Sequence, residues 1–189
     1  MIRLAFVATS VSAEFIQEKL SQQVVLKDGE VNQSRVIIAV ATHAMLERFT
    51  LDDLNLLPYT SYLSDSYVKF LESAGARVVP LIYNVHTKEQ IADILSDVNG
   101  VLLPGGSGDD TYELWEKMIY DRVIEINNAG TYFPIWGICL GLQHIAEYMA
   151  AYNPIKPHLI TETNLPLTFA VSDIRTSRFF ANIEDYYFD

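Results

Sequence analysis

Short apolar runs alternate with amphipathic stretches through the middle of the chain. Val36-Ile37-Ile38-Ala39-Val40-Ala41 is continuous, short and rich in β-branched residues, which predicts a buried strand. Tyr67, Phe70, Leu71 and Ala74 then fall at i, i+3, i+4 and i+7 and are closed by Gly75, a helix with a glycine stop. Val78-Val79-Pro80-Leu81-Ile82 predicts a second strand, and Pro80, which has no N–H to donate, places it at a sheet edge or a strand end. Thr87 and Gln90 form a capping box ahead of Ile91, Ile94, Leu95 and Val98 on one helical face. Val101-Leu102-Leu103 is a third strand. Asp110 with Glu113 predicts the cap of a longer helix whose apolar face is Trp115, Met118, Ile119, Val123 and Ile126, ending at Gly130. Tyr132 to Trp136 is a fourth strand, followed by a helix with Leu142, Ile145, Ala146 and Met149 on its apolar face.

Strand and helix in strict alternation predict an α/β fold: three layers, a mostly parallel sheet, and crossover helices. In such sheets chemistry gathers where strands end and helices begin. The flanks read differently. Leu4 to Val11 followed by Ser12-Ala13 has the layout of a secretory signal cleaved after Ala13, although it is short and Thr9 and Ser10 dilute it. Residues 14–34 form a polar N-terminal arm carrying the glycosylation triplet Asn32-Gln33-Ser34, a pattern common by chance. Beyond Asn153-Pro154 the rhythm is lost, and the sequence stops on Tyr186-Tyr187-Phe188-Asp189. So aromatic an end points to an interface with a partner or second copy, or to a continuation.

Composition narrows the function. Half of the 189 residues are apolar and only 20% are charged, so the chain can bury a core. Thirteen Lys and Arg against 24 Asp and Glu give a net charge of −11, the wrong sign for nucleic acid or an anionic membrane. The single cysteine excludes an internal disulfide and a Cys-rich zinc site, and nothing else in the sequence calls for a metal or cofactor.

That cysteine has a telling context. Gly137-Ile138-Cys139-Leu140-Gly141 is the G-x-C-x-G form of a nucleophile elbow, with a strand before it and a helix after it. The glycines let strand and helix approach each other, and the helix start favours a thiolate. The N–H of Leu140 can face a developing oxyanion. Pro104-Gly105-Gly106-Ser107-Gly108 ends the neighbouring strand, and can be read as a tight connection or as a second oxyanion donor. It is no phosphate loop, because no G-K-[ST] follows.

Three long blocks resemble γ-glutamyl hydrolases, folate-polyglutamate peptidases of the class I glutamine amidotransferase-like fold. They are Ser66 to Pro80, Pro104-Gly105-Gly106-Ser107-Gly108-Asp109-Asp110, and Phe133 to Gly141. Weaker matches at Leu165 to Phe169 and Ser177 to Phe180 keep the same order, so the similarity covers about residues 35–180 and defines a domain over 35–189. The resemblance implies that Cys139 is the nucleophile, that the backbones of Gly106 and Leu140 form the oxyanion hole, and that Tyr67, Gly105 and Ser107 line the substrate site. It implies γ-glutamyl cleavage through a thioester on a small-molecule substrate, without a cofactor, in a secreted, vacuolar or lysosomal setting.

The family's base is a histidine supported by a glutamate, far downstream of the cysteine. Only 50 residues follow Cys139 and no His-Pro-Glu block occurs, so the domain is expected to be C-terminally incomplete. His144, five residues past Cys139 on the same helix, is turned away from the sulfur and reads as a partly exposed residue. His158 lies between prolines, His43 follows the first strand at the edge where substrate would bind, and His86 reads as a solvated loop residue. Asp109 and Asp110 read as capping charges before substrate contacts. Two other readings stand beside the hydrolase: an impaired relative serving as a structural or binding subunit, and the glutaminase subunit of an amidotransferase.

Overall fold

A computed structural model describes residues 4–7, 36–45, 60–150, 152, 154, 173–177 and 180–181. The proposed signal (1–13) and arm (14–34) lie outside these residues except for Leu4–Val7, as do His158 and the aromatic end. The chain divides into two compact units, Met1–Ile155 and Lys156–Asp189. In the second, the described residues include a 3-10 turn at Ile174–Thr176.

In the first unit the elements are β1 (Leu4–Val7), β2 (Ile37–Ala41), β3 (His43–Ala44), β4 (Ser61–Ser64), α1 (Asp65–Ser73), β5 (Arg77–Leu81), α2 (Lys88–Ser96), β6 (Gly100–Leu103), α3 (Asp110–Asn128), β7 (Ile135–Gly137) and α4 (Leu140–Ala150). The central sheet runs in the order β5-β2-β6-β7 with every pair parallel. The chain leaves β2 for β5 on one side and returns to β6 on the other, which makes the carboxyl ends of β2 and β6 the topological switch point. Among the described residues β5, which carries Pro80, is an edge strand, where a proline is tolerated. A small antiparallel sheet, β1-β4-β3, was not foreseen; it joins Leu4–Val7 to two strands that lie between β2 and α1.

β6 is buried throughout and β2 and β5 are buried or half-buried, while β7 leaves Trp136 exposed, and the alternation along β2, β5 and β6 sorts the core into two layers. Ala39, Ala41, Val79, Leu81, Val101 and Leu103 face a cluster completed by Ile91, Ile94 and Leu95 of α2 and Tyr112, Trp115, Ile119 and Val123 of α3. Val40 and Leu102 face the other way, toward Tyr67, Val68 and Leu71 of α1. Each fully buried aliphatic side chain here is worth ~1.5–3 kcal/mol.

Local signals fix the helix ends. The Thr87–Gln90 capping box forms in both directions. Gly75 and Gly130 sit at φ +87° and +92° just past α1 and α3, where a side chain would be strained. Other expectations need correction. The cap of α3 is Asp109, whose side chain accepts from Tyr112 N–H at 2.9 Å, with Asp110 the first helical residue. Phe70 (58% exposed) and Met118 (38%) lie off the buried faces assigned to them.

On α4 the assigned stripe is also displaced. Leu142 and Met149 are exposed, while Gly141 and His144 are the buried residues. Close backbone packing at Gly141 fixes the rotation of that helix, and the face it selects is one step from the aliphatic one.

Candidate functional site

Cys139 occupies the bend between β7 and α4 at φ +51°, and it is exposed. A non-glycine residue in this region is strained, and such strain collects at sites of chemistry. The flanking glycines are there because the backbones touch. A Cβ on Gly137 would lie 2.5 Å from Leu142 N, and one on Gly141 would lie 2.4 Å from Leu103 O. Neither clash can be relieved by turning a side chain. Ile138 N–H donates to Leu103 O at 3.0 Å, and Gly141 N–H to Ile138 O at 3.0 Å and Pro104 O at 3.2 Å, tying the bend to the end of β6. The Leu140 N–H opens α4, where no carbonyl one turn back is available to it.

The glycine loop after β6 lies against this bend. A Cβ on Gly105 would come 2.7 Å from Cys139 Cβ, so the loop backbone and the cysteine are in direct contact. Tyr67, from the first turn of α1, holds the loop through its hydroxyl, which accepts from Gly105 N–H at 2.9 Å and donates to Gly105 O at 3.2 Å. In a trans peptide the N–H lies opposite the carbonyl. Fixing Gly105 O on Tyr67 therefore points the Gly106 N–H the opposite way, away from the Tyr67 hydroxyl, and Gly106 itself is exposed. Gly105 and Ser107 are half-buried beside it. The structure thus brings Cys139, Gly105, Gly106, Leu140 and Tyr67 together from three elements.

The histidines are placed otherwise than expected. His43 is 1% exposed beneath the loop, where a Cβ on Gly106 would meet its ring at 2.5 Å, and it lies between the rings of Tyr62 and Tyr112. Neither ring nitrogen has a hydrogen-bond partner of good geometry. Burial pushes it down to about 4, opposed only by the Gly105 backbone. His86 is buried, not solvated, and its Nδ1 accepts from Ile82 N–H at 3.0 Å. Burial pushes it too down to about 4.

His144 is buried as well, with Nδ1 2.5 Å from Glu116 Oε2. Burial disfavours its charge, but the hydrogen bond and charge of Glu116, with Glu113 and Glu147, outweigh that and raise it. Among the described residues, then, each imidazole is enclosed or already engaged. No three of their His, Cys, Asp and Glu side chains converge as a metal site would need. No described helix is long and apolar enough to cross a membrane.

Sequence reading missed Glu116 altogether. It falls at the i+4 position from Tyr112 on the buried stripe of α3, and a carboxylate on such a stripe announces a partner.

Comparison with known proteins agrees with this architecture. The family model described as Peptidase C26 matches residues 36–150. The chain is similar to γ-glutamyl hydrolase B of Dictyostelium discoideum, 39% identical over 62% of the chain and 35% of that protein. It is 38% identical to the γ-glutamyl hydrolase of Rattus norvegicus over 66% of the chain and 39% of the relative. Against that of Homo sapiens the identity is 36%, over 64% and 38%. The matches therefore span well under half the length of these relatives.

Proposed function

The chain belongs to the Peptidase C26 family, and from that premise we propose that it cleaves γ-glutamyl bonds of small-molecule substrates, folate polyglutamates among them, through a thioester on Cys139. One observation carries the reading: an exposed cysteine at φ +51° on a strand-to-helix bend, in contact with the backbone of a second strand's glycine loop. The thiolate attacks the γ-carbonyl, and the amine leaves with a proton supplied by a general acid. Gly106 and Leu140 N–H take up the oxyanion's charge, and water then releases the acyl half of the substrate as a free γ-carboxylate. Gly105 and Ser107 border the substrate. With His43, His86 and His144 committed elsewhere, we assign the general base to a group outside the described residues. The setting we propose is secreted, vacuolar or lysosomal.

The pocket can be tested apart from the base. A glutamate analogue bearing a diazomethyl ketone in place of the γ-amide should add once, to Cys139, by mass spectrometry. Excess γ-glutamyl peptide should protect the thiol and its α-linked isomer should not. Equal protection by both isomers would remove the γ-glutamyl assignment.

Tyr67 gives a second test. Tyr67→Phe leaves Gly105 N–H without its acceptor and should lower stability by about 1 kcal/mol in urea. Turnover should fall about tenfold with KM little changed, because a mis-aimed donor forfeits part of the ~10²–10³ that an oxyanion donor supplies. A change in KM alone would make Tyr67 a substrate contact only.

A further inference from the structure

A polar cluster lies between α3 and α4 that the proposed chemistry does not use. Glu116, fully buried, accepts from Tyr112 Oη at 2.9 Å through one carboxylate oxygen and meets His144 Nδ1 at 2.5 Å through the other. Its two partners lead to the two halves of the site. His144 stands on α4, whose first turn is built on Cys139, with Gln143 N–H donating to Cys139 O at 3.0 Å. Tyr112 stands at the start of α3, directly after the glycine loop. A Cβ on Gly108 would lie 2.3 Å from its ring, and that ring stacks on His43 beneath Gly106. Tyr148 closes the cluster, its hydroxyl donating to Glu113 O at 2.8 Å. Burial first, then the charge of Glu116, keeps the Tyr112 phenol protonated and therefore a donor.

We infer that Glu116 is a positioning residue, tying the nucleophile's helix through His144 to the glycine loop through Tyr112 so that Cys139 and the Gly106 N–H face one reacting carbonyl. The inference rests on the cysteine-hydrolase reading for its catalytic consequence, but not for its effect on the thiol. A carboxylate that only filled space would be replaceable by an apolar side chain without cost to the site, since buried ion pairs are often exchanged for hydrophobic residues with no loss of stability. The geometry gives it a different task, because it joins two elements that carry separate parts of the machinery. A shift of about an ångström between them is enough to slow a reaction up to ~10²-fold.

The test uses the double replacement Glu116→Leu with His144→Leu, which leaves no buried charge unpaired, and the isosteric Glu116→Gln. Each is compared with the parent for thermal midpoint, rate of Cys139 alkylation by iodoacetamide at pH 7, and kcat and KM for γ-glutamyl cleavage. The double variant should melt within a few degrees of the parent, yet alkylate about tenfold more slowly and lose about tenfold in kcat at unchanged KM. Glu116→Gln, which still accepts from Tyr112, should lie between the two. Parent-like alkylation and kcat in a folded double variant would overturn the inference while leaving the hydrolase reading intact. If the double variant does not fold, parent-like behaviour of Glu116→Gln overturns it equally. A parent that cleaves no γ-glutamyl bond, in a series whose alkylation still slows as stated, would remove the hydrolase reading and keep the positioning role.

Discussion

Cys139→Ala is expected to lower glutamate release from a γ-linked peptide by about 10⁴-fold or more, and Cys139→Gly to do the same while giving a more stable protein. The first effect follows from the covalent route, since removing a nucleophile leaves only what binding and the oxyanion donors supply. The second follows from the backbone. At φ +51° a Cβ costs roughly 1 kcal/mol that glycine avoids, so Cys139→Gly should exceed Cys139→Ala by about that amount in urea unfolding. The comparison with alanine matters, because both variants lack the sulfur and differ in the strained carbon alone. A gain in stability from alanine to glycine at this position would mark a residue held against the preference of the chain. Equal unfolding midpoints for the two variants would mean that the bend relaxes in solution. Substantial cleavage by Cys139→Ala would move the nucleophile elsewhere.

Much of the sheet was legible because its strands are short, apolar and bounded by strong punctuation. Pro80 marks an edge, Gly75 and Gly130 mark helix ends, and Thr87 with Gln90 marks a helix start; each signal has a local physical cause and so survives folding. What was not legible depends on contacts remote in sequence. The pairing of Leu4–Val7 with Ser61–Ser64 joins segments with no shared local pattern. The rotation of α4 is set by Gly141 against Leu103 O, and a hydrophobic count over Leu142, Ile145 and Met149 cannot register a contact made by a missing side chain.

The same division runs through the site. The G-x-C-x-G spacing announces the bend, because glycine is what two touching backbones require, and the pattern can be read with no knowledge of the partner. The histidines were misplaced because a polar residue's burial is decided by its partner. His144 reads as half-exposed until Glu116 is set opposite it, and His86 reads as solvated until the Ile82 N–H needs an acceptor. Tyr67 is a borderline case. Its helix was foreseen, and the family resemblance implied a place in the substrate site, but the double hydrogen bond to Gly105 is a fact of three dimensions.

These same histidines should give the fold a stability maximum near pH 6.5, falling on both sides for opposite reasons. His43 and His86 drop from 6.5 to about 4 on burial, so both are neutral in either state above pH 6.5. Below it the unfolded chain takes up protons that the native state refuses, and stability falls. Each shift is worth about 3 kcal/mol when complete at pH 4, and the two together should cost about 3 kcal/mol by pH 5, before the carboxylates titrate.

His144 works in the other direction. Its raised value means that the native state binds a proton more tightly than the unfolded chain does. Its contribution is fully present below pH 6.5 and is lost as pH rises through the native value. Urea midpoints at pH 5, 6.5 and 8.5 in 0.15 M salt, where the repulsion of a net −11 chain is screened, should trace both limbs. His43→Leu should remove about half of the acid-side loss, and His144→Gln should flatten the alkaline side. Stability that still climbs between pH 6.5 and 8.5 would show that Glu116 does not hold a proton on His144. An acid limb unchanged in His43→Leu would place water against that ring, and the floor under the glycine loop would then be open rather than sealed.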